Sequence, residues 1–195
     1  HCHLDFENFD EDRADTLNRA FDAGVGMMVT ICTRHSRFDH IRDLARSHDR
    51  LYCSVGIHPH QVAEEETATL EWLLSSAADP KVVGIGETGL DFNYDKSPRD
   101  IQKQQFKVHI EASRELGLPL IVHTRNADDD MAQILKEETG KGAFTGLLHC
   151  FSSSRALAET ALDLGLHLSI SGIVTFKKAD DLREIVKDAP LDRLL

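Results

Sequence analysis

Residues 82–91 read Val82-Val83-Gly84-Ile85-Gly86-Glu87-Thr88-Gly89-Leu90-Asp91. The stretch Val82–Gly86 reads as a short buried strand, apolar and bounded by glycine. Glu87 closes it, and a carboxylate at the end of an apolar run needs a cation or hydrogen bonds to offset its desolvation. A capping or salt-bridged glutamate is the plainer alternative. Two more apolar runs end in the same manner, on a metal-ligating side chain: His123 closes Leu120-Ile121-Val122 and His149 closes Thr145-Gly146-Leu147-Leu148. At the start, His1 and His3 flank Cys2. Alternate strand residues project to one side, so the two imidazoles face together.

Around this stretch, short apolar runs alternate with amphipathic segments. Strands are expected at Met27–Cys32, Leu51–Val55, Val82–Gly86, Leu120–His123, Thr145–His149 and Leu166–Ile170. Helices are expected at Glu11–Ala23, Arg37–Ser47, Thr67–Ala78, Pro98–Leu116, Ala127–Thr139, Arg155–Leu164 and Ala179–Asp188, several ending at a glycine such as Gly24, Gly117 or Gly165. Such βα repeats imply a parallel sheet with right-handed crossovers. A doubly wound open sheet is the rival architecture. It concentrates its site at one switch point, whereas here nearly every strand end carries a polar group, the arrangement of a barrel rim. The expected fold is therefore α/β, a (β/α)8 TIM barrel in a single domain over residues 1–195. A complete barrel takes about 250 residues. The chain is thus expected to be truncated at both ends, lacking the start of the first strand and the last strand with its closing helices.

The chain has 195 residues, 41% of them hydrophobic, with a net charge of −11. That acidity excludes a protein that coats duplex DNA through a basic surface. It leaves open a phosphate substrate, because two bound divalent cations would bring about four positive charges of their own. No run approaches the ~20 apolar residues of a membrane span. Cys2, Cys32, Cys53 and Cys150 form no CxxC pair, which fits a reduced compartment, the cytoplasm or a eukaryotic nucleus.

His1, His3, Glu87, His123 and His149 together suit a divalent transition metal, and one carboxylate among histidines is a common way to bridge two ions. Gly56-Ile57-His58-Pro59-His60 follows another strand. His58, nearest the strand end, is a candidate for binding a phosphate or for acid/base work; a solubilising turn is the alternative. Arg125 could hold a phosphate in its planar fork or pair with Asp128, Asp129 or Asp130. Asp91 could orient a ligand histidine or cap its loop. Asp5, Phe6 and Phe151 are expected on the rim without assigned chemistry. His35, His40, His48, His109 and His167 read as ordinary, and Glu64-Glu65-Glu66 as the opening of a helix.

His-Cys-His-Leu-Asp at 1–5, Gly-Ile-His-Pro-His at 56–60, Gly-Ile-Gly-Glu-Thr-Gly-Leu-Asp at 84–91, Val-His-Thr-Arg at 122–125 and Leu-His-Cys-Phe-Ser at 148–152 resemble the TatD family of metal-dependent deoxyribonucleases, amidohydrolase-type TIM barrels. The elements run across nearly the whole chain in family order. The resemblance implies two divalent ions (Mg2+, Mn2+ or Zn2+), with His1 and His3 on one, His123 and His149 on the other, and Glu87 bridging. It implies hydrolysis of DNA by a water activated between the ions, as a 3′-5′ exonuclease on single strands or strand ends, in DNA repair or DNA degradation. Glu87, His58 and Arg125 are the expected catalytic residues. DNA is the expected partner, with no membrane and no obligate protein partner. Family members also carry an aspartate just after the last strand, in a Glu-Thr-Asp-Ala-Pro context; this sequence reaches Leu195 before it. Two other functions stay open. One is an amidohydrolase or ester hydrolase acting on a small molecule or aminoacyl ester. The other is a catalytically impaired metal-binding module.

Overall fold

The computed structural model describes residues 1–195. Its sheet is six-stranded and parallel throughout: β1 (Met28–Thr30), β2 (Leu51–Val55), β3 (Val82–Asp91), β4 (Leu120–Arg125), β5 (Gly146–Leu148) and β6 (His167–Leu168). Spatial order follows chain order from β1 to β6. A doubly wound sheet reverses its order at the switch point; this one never does, so the open-sheet rival is excluded and the architecture is a curled half-barrel. One parallel bridge extends each flank, Cys2 to Thr30 and Leu168 to Leu194.

The helices are α1 (Arg13–Asp22), α2 (Phe38–Arg46), α3 (Leu70–Ser76), α4 (Arg99–Leu116), α5 (Asp128–Lys141), α6 (Arg155–Asp163) and α7 (Asp180–Asp188). Each lies within the expected span or runs past it by at most two residues. Their caps follow the chemistry of the chain. The Thr69 hydroxyl accepts from the Trp72 N–H at 3.1 Å to open α3, and Gly117 takes the left-handed conformation (φ 66°) that closes α4. Between sheet and helices lies a continuous apolar layer. Leu51, Cys53, Val55, Ile85, Leu120, Val122, Leu148 and Leu168 are all fully buried within it. Such strands, covered on both faces, read as unbroken apolar runs.

Three expectations are corrected. Glu64-Glu65-Glu66 does not open a helix. Glu65 instead accepts hydrogen bonds from the backbone N–H of Ser36 (2.8 Å) and from Arg34 (3.0 Å), and α3 starts later, at the Thr69 cap. Phe151 is not on the rim but fully buried in the core. The third strand does not stop at Gly86; it runs on to Asp91. Its pairing with β4 shifts between Gly86 and Thr88, so that Gly86 faces Ile121 and Thr88 faces Val122. Glu87 is the residue left over, and its N–H bonds the Cys32 carbonyl at 3.0 Å instead. A bulge re-aims a side chain beside a site while pairing continues past it.

Candidate metal centre

Glu87 sits on the β3 bulge and is almost fully buried, at 4% exposure. Its Oε2 lies 3.5 Å from His1 Nε2, and its Oε1 lies 3.3 Å from His123 Nδ1. Burial works against its charge, but the hydrogen bond and charge of His123 hold the carboxyl below the usual range. The residue therefore stays anionic.

Three groups of side chains offer donor atoms close enough to share an ion: His1, His3 and Glu87; His58, Glu87 and His123; His60, Asp91 and His123. Two of them have Glu87 in common. His3 Nδ1 is buried and has no hydrogen-bond partner. An imidazole nitrogen left unpaired inside a protein calls for an explanation, and a metal ligand supplies one. Nitrogen-rich donors with one carboxylate fit zinc or manganese better than magnesium.

Asp91 organises the second half of the site. Its Oδ1 accepts from the backbone N–H groups of Asn93 (3.0 Å) and Tyr94 (2.9 Å). Its Oδ2 lies 2.8 Å from His60 Nε2 and 3.0 Å from His123 Nε2. Burial opposes the Asp91 charge, yet the Tyr94 N–H and the two histidines bring its pKa down to about 2. An anionic Asp91 requires N–H donors, so it keeps a proton on His123 Nε2; Nδ1 donates to Glu87 here and is the nitrogen that a cation would take in place of its proton. His123 pays the desolvation cost of burial, but Glu87 and Asp91 outweigh it and raise its pKa.

His58 sits in the Glu87–His123 group, with its ring 4.4 Å from that of His123. Burial, then the neighbouring His123, push its pKa down to about 3, so the ring is neutral. The backbone N–H of His60 donates to its Nδ1 at 3.2 Å. The one remaining ring proton must then be on Nε2. That tautomer makes His58 a neutral hydrogen-bond donor and a poor metal ligand, and it is no cationic phosphate clamp. His149 belongs to none of the three groups; its ring stacks on His1 at 3.5 Å between centroids. The charge of Glu87 still reaches it, partly offsetting the burial that lowers its pKa.

Arg125 makes no ion pair with the aspartates of α5. Asp130 is taken by Lys103 at 2.8 Å and Asp128 accepts the Ser154 N–H at 2.8 Å. Arg125 instead lies 4.9 Å from the Tyr94 ring centroid, with Nη1 3.3 Å from the Tyr94 hydroxyl. With His123 and His149 it lines an open cavity of about 860 Å3, which also touches Phe92, Asn126 and Ser152. Phe6 stacks on His3 at 4.9 Å, and Asp5 is buried with Oδ1 unpartnered.

One supporting residue was missed in the sequence. His109, fully buried on α4, accepts the Ile57 backbone N–H on Nε2 at 3.1 Å and donates from Nδ1 to the Gln105 carbonyl at 2.7 Å. It thereby holds the loop that carries His58. Its signal was there: Gln102, Gln105, Phe106, His109 and Ile110 share one helical face, so His109 points inward.

The TatD related DNase family model matches residues 1–195. A Bacillus subtilis protein named uncharacterized metal-dependent hydrolase YabD is 38% identical over 195 residues, covering 100% of this chain and 76% of that protein. The 3′-5′ ssDNA/RNA exonuclease TatD of Shigella flexneri is 33% identical, covering 98% of this chain and 74% of that one. The crystal structure of YjjV, a TatD homologue from Escherichia coli, superposes with a TM-score of 0.89 at 31% identity, covering 100% of this chain and 75% of that one. The chain belongs to the TatD related DNase family and is a metal-dependent hydrolase.

Proposed function

We propose that this chain hydrolyses phosphodiester bonds of DNA from 3′ ends, using two divalent cations held by His1, His3, Glu87, His123 and His149. The observation that carries the reading is the shared carboxylate. Glu87 reaches a candidate ligand with each of its oxygens, Oε2 lying 3.5 Å from His1 Nε2 and Oε1 3.3 Å from His123 Nδ1, as a residue joining two ions must. The name of the Shigella flexneri relative, a 3′-5′ ssDNA/RNA exonuclease, supports the substrate class and leaves RNA as a second polymer to test.

Bound there, such cations would polarise the scissile phosphate and lower the pKa of the attacking water. The rest falls to the chain's own residues. Glu87 stays anionic and sets the spacing of the donors on either side of it. Asp91 orients His123 and His60. His58 offers an Nε2–H to a phosphoryl oxygen, a donor whose direction is set by the His60 backbone and, behind it, by His109. Arg125, free of ion pairs, offers a planar fork to a neighbouring phosphate.

The test is degradation of a 5′-labelled single-stranded oligonucleotide by metal-loaded protein and by Glu87→Ala. A ladder that shortens from the 3′ end, and vanishes with EDTA and with the variant, is expected. A strand left whole by protein that still cleaves a panel of esters would overturn the DNase reading and favour an ester hydrolase.

A further inference from the structure

Tyr94 is a large aromatic residue with 54% of its surface exposed, directly beside the metal-donor cluster. Its ring meets the edge of His60 at 5.4 Å and 87°. Arg125 lies over the ring at 4.9 Å and Lys96 at 5.9 Å. Its position is not that of a loose loop side chain. The Tyr94 backbone N–H donates to the same Asp91 carboxylate that binds His60 and His123, so one buried anion anchors the Tyr94 backbone beside the donor cluster.

An exposed aromatic surface flanked by two cations suits a ligand with an aromatic face joined to an anion. A nucleotide has both. The chain carries a net charge of −11, so a long-range basic field cannot supply its affinity for a strand. Base stacking can, and it tolerates any base because each has a π face. We infer that Tyr94 is a stacking platform for the nucleobase at the cleaved end of the strand, the base taking the place of the cations over its ring while Arg125 and Lys96 turn to the attached phosphates. This deepens the nuclease reading above and rests on it.

The experiment uses two 5′-labelled single-stranded oligonucleotides, one with a normal 3′ nucleotide and one with an abasic 3′ residue. Metal-loaded wild type, Tyr94→Ala and Tyr94→Phe are compared for cleavage, and for binding by fluorescence anisotropy. Wild type is expected to show a KM about ten-fold lower for the normal end, the size of one stacked base, with kcat nearly equal for the two. Tyr94→Ala should lose that difference and Tyr94→Phe should restore it. A difference that persists in Tyr94→Ala, or that wild type never shows, overturns the platform while leaving the nuclease reading intact. Should no form cleave either strand, the nuclease reading falls, and the anisotropy arm decides the platform by the same comparison. Tyr94-dependent binding of an aromatic aminoacyl ester, with neither oligonucleotide bound, would overturn the nucleobase assignment.

Discussion

Asp91 Oδ2 lies 3.0 Å from His123 Nε2, on the opposite side of the imidazole from Glu87, which stands 3.3 Å from Nδ1. One ring nitrogen is thus occupied by a carboxylate so that the other can face the donor cluster. Asp91→Asn keeps the volume and removes the charge that fixes this tautomer. Affinity for zinc or manganese is expected to fall about 10- to 100-fold with the fold retained. Isothermal titration of the metal-free protein measures it, and an unchanged affinity would remove Asp91 from this role.

Glu87→Gln should separate metal binding from folding. The variant loses the anion common to two donor groups, so the number of ions bound per chain is expected to drop and hydrolysis to be lost. Metal-free stability near pH 7 should fall modestly, because, against the cost of burial, the His123 hydrogen bond and charge hold the Glu87 carboxyl below its usual range and the fold therefore stabilises the anion. Elemental analysis and thermal melts in EDTA give the two readouts. Full metal content in the variant would contradict the bridging arrangement.

Gly89 has φ 140°, and a Cβ there would sit 2.0 Å from the His123 carbonyl oxygen. Gly24 also has a positive φ, 94°, but a Cβ there meets nothing within 4 Å. Gly89→Ala combines backbone strain with overpacking and is expected to cost about 3 kcal/mol or more. Gly24→Ala carries the strain alone, about 1 kcal/mol. Urea midpoints of the two variants test the ordering; equal losses would show that β3 and β4 can separate cheaply.

His109 has a pKa pushed down to about 4 by burial, its hydrogen bond to Gln105 opposing only in part, against about 6.5 in an unfolded chain. Between those values the unfolded state holds the extra proton, so stability rises with pH. The contribution is fully present above pH 6.5 and is lost as pH falls toward 4. His109→Gln, able to accept from Ile57 and donate to Gln105, should flatten that part of the profile. Denaturant midpoints from pH 4.5 to 7.5 compare the slopes, and parallel curves for variant and wild type would sink the assignment.

Element order was legible because the physics behind it is local. The apolar runs and the Gly117 terminus each act within a few residues, so strand and helix expectations fall close to the observed elements. The extension of β3 past Gly86 was not legible. Glu87-Thr88-Gly89 has no apolar alternation, and only pairing with β4 makes it a strand. The same holds for Glu65, whose partners Arg34 and Ser36 are some thirty positions away.

By itself the sequence singled out His1, His3, Glu87, His123 and His149 as polar groups bordering apolar runs, and a parallel barrel carries such groups toward one rim. Of Asp91 the sequence offered two roles, orienting a ligand histidine or capping its loop. The tertiary structure alone decided the partners. Strand register sets Gly89 against His123, the bulge aims Glu87 between His1 and His123, and the backbone at His60 makes His58 a donor. These are matters of angstroms and of which imidazole nitrogen bears the proton, and both depend on neighbours that are distant in the chain.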